Sequence, residues 1–249
     1  MQTTLPDLRL AVLIDADNVP SAKIKAMLEE IAKYGTPTFK RIYGDWTNPR
    51  VTSWKAVLLD NAITPIQQYA YTQGKNATDS AMIIDAMDIL YTGRVDGYCL
   101  VSSDSDFTRL AIRLREAGMK VFGMGEKKTP SAFTSACDRF IYIEILNKKE
   151  EKKPEAKSRK VPIRKTPDEK IDPKLLALLT DSVDDLADED GWTFLGELGN
   201  LLIKKQPSFD SRNYGFDKLL PLIKSFRQFE VDERPTGSGK IRHVFVRNK

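Results

Sequence analysis

Leu100-Val-Ser-Ser-Asp-Ser-Asp-Phe107 is the stretch whose reading decides the fold. Tyr98-Cys-Leu-Val-Ser102 before and into it is a short apolar run, the pattern of a strand covered on both faces. Two carboxylates follow at once, Asp104 and Asp106, with Ser103 and Ser105 as turn and cap formers. A helix then begins near Arg109, with Leu110, Ile112 and Leu114 on its apolar side. Ligands bind open α/β sheets where strands end and helices begin. Packing does not explain two acids at such a place. A divalent metal does, because Mg²⁺ and Mn²⁺ prefer hard oxygen ligands.

The pattern recurs near the N-terminus. Leu10-Ala-Val-Leu-Ile14 reads as a second buried strand, and Asp15-Ala-Asp-Asn18 follows it directly. If the two strands are neighbours, the acid clusters converge. A third acid, Asp79, sits where the polar loop Gln73-Gly-Lys-Asn-Ala-Thr78 runs into the helical pattern of residues 81–90. With Thr78 as N-cap, Asp79 falls in the first turn. There it either favours the helix dipole or serves as another metal carboxylate. Asp85 and Asp88 lie further along and point elsewhere at 100° per residue, so both read as structural. Asp45, in Gly44-Asp-Trp46, reads as a turn residue and a minor candidate.

The remaining elements alternate. A helix over residues 20–34 carries Ile24, Met27, Leu28 and Ile31 as its stripe and ends at Gly35. A strand over 38–43 and a helix over 51–61 come next, then a strand over 63–69 that Pro65 marks as an edge or as interrupted. After the central motif come a strand over 118–124, a short helix over 131–136 and a last strand over 139–143. Strands alternating with helices predict a mostly parallel, Rossmann-like α/β sheet with helices on both faces.

Composition removes several function classes. The chain has one histidine, His243, and two cysteines, Cys99 and Cys137, with no CxxC. That disfavours a Ser-His-Asp triad, a thiolate zinc site and a disulfide framework. No apolar run nears the roughly 20 residues that span a bilayer, and the N-terminal residues lack the pattern of a signal peptide. A reducing, cytoplasmic setting is therefore expected. Charge is uneven. Residues 1–147 hold 17 basic and 17 acidic residues, whereas 148–165 hold nine against three and 204–249 eleven against five, +6 in each case. Such blocks attract a polyanion, although the plain reading of the first is a solvated linker.

Three regions follow: an α/β domain over 1–146, a basic flexible linker over 147–169, and a small module over 170–249. In the last, a helical pattern at 173–179, a turn and second helix within 190–202 and a third helix over 214–223 precede a hairpin of Phe229-Glu-Val231 with Ile241-Arg-His-Val-Phe-Val246. Arg234-Pro-Thr-Gly-Ser-Gly-Lys240 forms its basic tip. Three helices and a β wing predict a winged helix-turn-helix-like fold, of the kind that binds nucleic acid or protein.

Leu13-Ile-Asp-Ala-Asp-Asn18, Lys75-Asn-Ala-Thr-Asp79 and Val101-Ser-Ser-Asp-Ser-Asp-Phe107 together resemble the NYN family, relatives of the PIN nucleases in the LabA-like, DUF88 branch. Gly191-Trp192, Leu195-Gly-Glu-Leu-Gly199, Tyr214-Gly-Phe216 and Phe229-Glu-Val231 resemble the OST-HTH, or LOTUS, domain. The first resemblance implies a metal-dependent ribonuclease with Asp15, Asn18, Asp79, Asp104 and Asp106 in its site. The four aspartates would hold Mg²⁺ or Mn²⁺, with Asp17 a less fixed position. Lys75 would hold a phosphate or be solvated. The second resemblance implies RNA binding, to single-stranded or structured G-rich RNA, and protein partners through that module. Two other readings compete. One is a haloacid-dehalogenase-like phosphatase using Asp15 as nucleophile, although Asp104-Ser-Asp106 is not the closing motif of that class and no Ser/Thr motif lies between the clusters. The other is a non-catalytic RNA adaptor that keeps the acid pocket.

Overall fold

A computed structural model describes residues 7–69, 77–146, 172–235 and 242–249. Lys75, the linker and the tip of the C-terminal hairpin lie outside them. The chain divides into two compact units, Met1–Glu151 and Lys152–Lys249.

The first unit is built on six parallel strands: β1 (Arg9–Asp15), β2 (Thr36–Gly44), β3 (Thr64–Gln67), β4 (Gly97–Val101), β5 (Lys120–Gly125) and β6 (Arg139–Tyr142). Their order is β3-β2-β1-β4-β5-β6. β1 and β4 are neighbours, in register from Leu10 opposite Gly97 to Ile14 opposite Val101. The chain reverses its direction of travel across the sheet between these two strands, so a crevice opens at their carboxyl ends. β3 is an edge strand, as Pro65 requires.

Alternation along each strand sends side chains to two cores. Leu10, Val12 and Ile14 pack with Ile24, Met27 and Ile31 of α1 (Ile24–Ile31) and with Trp54 and Leu58 of α2 (Thr52–Leu58). Ala11, Leu13, Tyr98 and Leu100 pack on the other face. There they meet α3 (Ala77–Tyr91), α4 (Thr108–Glu116) and α5 (Ser131–Ala136). The period of two continues past the strand ends. Asp15 follows Leu13 and Ser102 follows Leu100, so both project toward the face that α3 covers.

Two details differ from the sequence reading. α3 begins at Ala77, so Thr78 is a helical residue rather than the N-cap, and Asp79 still lies in the first turn. The helix before Gly35 opens as a 3₁₀ turn at Ser21–Lys23, and its α-helical part closes at Ile31. Gly35 does not occupy a left-handed C-cap. It is needed for space, because a Cβ there would lie 2.2 Å from the Leu8 carbonyl oxygen.

The second unit contains α6 (Pro173–Asp184), β7 (Thr193–Phe194), α7 (Leu195–Lys205), α8 (Leu219–Lys224), β8 (Phe229–Pro235) and β9 (Arg242–Asn248). Leu175, Leu179, Val183, Leu198, Leu202, Ile223 and Val246 form its core. The expected third helix over 214–223 is shorter. A 3₁₀ turn at Ser211–Tyr214 ends on Gly215, whose φ of 87° breaks the helical path, and α8 starts afresh at Leu219. The expected two-strand hairpin is part of a three-strand antiparallel sheet, β7-β9-β8, because Thr193 and Phe194 pair with Val246 and Phe245.

Candidate metal centre

Asp104 ends the extended stretch after β4 and caps the 3₁₀ turn Ser105–Phe107, its Oδ1 accepting from the Asp106 backbone N–H at 2.9 Å. This Asx turn folds Asp106 back beside Asp104. Asp79 arrives on the first turn of α3. One carboxylate oxygen from each of Asp79, Asp104 and Asp106 lies within 4.8 Å of the others. Asp79 and Asp104 are half-buried and Asp106 is exposed, so the group opens to solvent on one side.

Asp15 stands at the inner wall and lies outside that 4.8 Å group. It is 1% exposed. Its Oδ2 accepts from Asn18 Nδ2 at 2.7 Å and from Ser102 Oγ at 2.8 Å, and its Oδ1 accepts from the Asp17 N–H at 3.1 Å. Asn18 therefore serves Asp15 directly. A carboxylate so enclosed is poorly presented for nucleophilic attack, which weighs against the phosphatase reading. Behind the loop, Trp54 Nε1 donates to the Ala16 carbonyl at 3.3 Å.

The charges of these acids reach one another. The Asp79 carboxyl is pushed up to about 6 from the usual carboxylate range, first by burial and then by the charges of Asp15, Asp104, Asp106 and Asp17. A cation held beside it would offset the repulsion and favour its ionised form. The donor set fits a hard divalent ion, since all three clustered donors are carboxylate oxygens and neither His nor Cys is among them.

Ser102 was not singled out as a site residue by the sequence reading. Fully buried, it donates to Asp15 and its Oγ accepts from the Asp104 N–H at 3.0 Å, so one hydroxyl ties the two acid clusters together. The signal was its position, the first residue past a buried strand on the parity of the acid side. Ser103 plays a similar part toward β5, its Oγ accepting from the Glu126 N–H at 2.9 Å.

Asp45 and Asp85 make structural contacts. Asp45 Oδ1 accepts from the Thr47 N–H and hydroxyl and from Gln67 Nε2, closing a turn and tying β2 to β3. Asp85 is bound by Arg41 and the Tyr43 hydroxyl. Asp88 is exposed.

The family model described as the NYN domain matches residues 9–144, and the OST-HTH/LOTUS domain model matches residues 167–241. A search of curated proteins found no match. Among solved structures, a protein of unknown function from Vibrio parahaemolyticus is 20% identical, with a TM-score of 0.46 over 57% of this chain and 96% of that one. An uncharacterised protein from Nitrosomonas europaea is 30% identical (TM-score 0.30), covering 39% of this chain and 92% of that one. A Chromobacterium violaceum fragment is 31% identical (TM-score 0.26), covering 33% and 87%. With its strand-end acids and the NYN match across more than half its length, this chain belongs to the NYN domain family and carries a C-terminal OST-HTH/LOTUS domain.

Proposed function

We propose that this protein is a metal-dependent ribonuclease that hydrolyses RNA phosphodiester bonds. Residues 1–146 would form the catalytic domain, 147–169 a basic connector and 170–249 the RNA-binding module. The observation that carries the reading is the meeting of Asp79, Asp104 and Asp106 in front of Asp15 at the carboxyl ends of β1 and β4.

Asp79, Asp104 and Asp106 would hold Mg²⁺ or Mn²⁺, and Asp15 would add its charge from behind. A divalent ion held there lowers the pKa of bound water and stabilises charge on the departing oxygen. The chain's own residues supply the rest. Asn18 and Ser102 fix the Asp15 carboxylate, and Ser102 also fixes the backbone that presents Asp104. The open side beside Asp106 admits the phosphodiester. In the reaction a water oxygen bonds to phosphorus as the bond to the leaving ribose oxygen breaks, and the water proton ends on the leaving group. Among the described residues no helix is long and apolar enough to cross a membrane; a cytoplasmic site of action is part of this proposal. Protein partners of the C-terminal module remain compatible with this function.

The test is cleavage of end-labelled single-stranded and G-rich RNA by the full chain with Mn²⁺ or Mg²⁺. The reading expects cleavage that EDTA abolishes. RNA binding without cleavage under any metal would favour the adaptor.

A further inference from the structure

The outward face of the β7-β9-β8 sheet interleaves aromatic rings with charged side chains. One face of such a sheet packs on the core and the other is normally polar. Val231 and Val246 are paired across the strands and Val246 is fully buried, which fixes the inward parity. The outward positions are then Phe194 of β7, His243, Phe245 and Arg247 of β9, and Glu230, Asp232 and Arg234 of β8, with Phe194 and Asp232 on either side of Phe245, Arg234 opposite His243 and Glu230 opposite Arg247. Phe194 is 36% exposed.

These groups form a continuous series of flat side chains with Trp192. The Arg247 guanidinium lies 4.6 Å from the Trp192 ring centre, and Arg234 lies 5.3 Å from the same ring and 4.2 Å from that of Phe245. Phe245 is 5.8 Å from Phe194, which is 5.3 Å from His243. Six planar groups thus run in file, cations between or beside rings. Arg234 and Arg247 are also paired with Asp232 and Glu230, each at 2.8 Å, but these pairs are open to solvent and weak enough for a phosphate to displace.

We propose that this ribbon is a stacking platform for the unpaired bases of single-stranded RNA. The proposal rests on the RNA-binding reading of the module and assigns it a surface: recognition would run through the sheet face rather than through a helix laid in a groove. Bases stack on aromatic rings and on guanidinium planes alike. The surrounding segment supplies the charge, since residues 204–249 carry eleven basic and five acidic residues. Rings, interleaved cations and a net positive setting together suit a polyanion with flat bases. An apolar protein partner would match the rings but not the cations.

The test uses the full chain in EDTA, so that no RNA is consumed. Binding of a fluorescein-labelled unstructured 12-nucleotide RNA is followed by anisotropy, beside the same RNA paired to its complement and a matching abasic backbone. Phe194→Ala should weaken binding of the unpaired RNA about tenfold, the size of one lost base stack, without changing the salt slope. Arg234→Gln should lower that slope. The abasic backbone should bind wild type and Phe194→Ala alike. Trp192 provides a second readout: in a Trp46→Phe background checked for folding, unpaired RNA should quench tryptophan emission, and adding Trp192→Phe should remove the quench. If wild type binds RNA but Phe194→Ala binds equally well and emission is unchanged, the platform is overturned while RNA binding stands. If wild type binds no RNA, the underlying reading falls with it. If the variants alter self-association instead of RNA binding, the face belongs to a second copy and the proposal is wrong.

Discussion

Asp79 concentrates the electrostatics of the candidate centre. Its carboxyl is raised to about 6 while the unfolded chain would ionise it near 4. Between those values the folded protein holds more protons than the unfolded one, so metal-free stability falls as pH rises through about 4 to 6 and stays reduced above that window. Bound metal opposes the loss. Added Mg²⁺ should therefore raise the melting temperature more at pH 7.5 than at pH 5, and Asp79→Asn should raise the metal-free melting temperature at pH 7.5 while removing the Mg²⁺ response; differential scanning fluorimetry in EDTA and in Mg²⁺ reads both. Ser102 makes the complementary case. Ser102→Ala strips a donor from a fully buried carboxylate and should cost about 1–3 kcal/mol of stability, together with a marked fall in cleavage rate, measured by denaturant unfolding and by RNA cleavage. The aspartates were legible because acids at the ends of apolar runs have no packing explanation. Ser102 is not, because it reads as the closing residue of a strand run until the neighbouring strand and its Asp15 are known.

Among the elements, the strand-end geometry depends on close approaches that only the assembled sheet reveals. A Cβ on Gly125 would lie 2.5 Å from the Ser102 carbonyl oxygen and 2.9 Å from Thr129 Oγ1. Gly125→Ala should push the end of β4 and lower metal affinity as well as stability, which titration calorimetry with Mn²⁺ and thermal unfolding would separate. α3 is held to β2 by Asp85, through Arg41 and Tyr43, and Tyr43 is the register partner of Asp15. This tie sets Asp79 over the strand ends. Asp85→Ala should destabilise by about 1–3 kcal/mol and reduce cleavage without removing any metal-cluster carboxylate. Periodicity indicates the alternation of elements, and Pro65 the edge position of β3. It misjudged Gly35, whose role is space beside Leu8 rather than a helix cap, and the helix near Tyr214, where Gly215 takes a left-handed turn. Conformation at a glycine depends on what stands opposite, and that is not local information. Likewise β7 has two residues, too few to show a period, and is defined by its pairing with β9.

At the scale of the molecule, the account separates chemistry from affinity. The charge-balanced first domain should turn RNA over, and the basic C-terminal segments should hold it. RNA affinity of the full chain should fall steeply between 50 and 200 mM salt. Asp104→Asn should leave that affinity intact while reducing cleavage at least about a hundredfold, as gel-shift and cleavage assays on one labelled RNA would read. The central claim is that Asp15, Asp79, Asp104 and Asp106 act as one metal centre. Its most direct test is titration calorimetry of Mn²⁺ into the metal-free full chain at pH 7.5, wild type against Asp79→Asn and Asp104→Asn, each first checked for folding. The account predicts one or two Mn²⁺ ions bound by wild type and binding lost or weakened at least about tenfold in both variants. Equal Mn²⁺ binding by wild type and folded Asp104→Asn would contradict it.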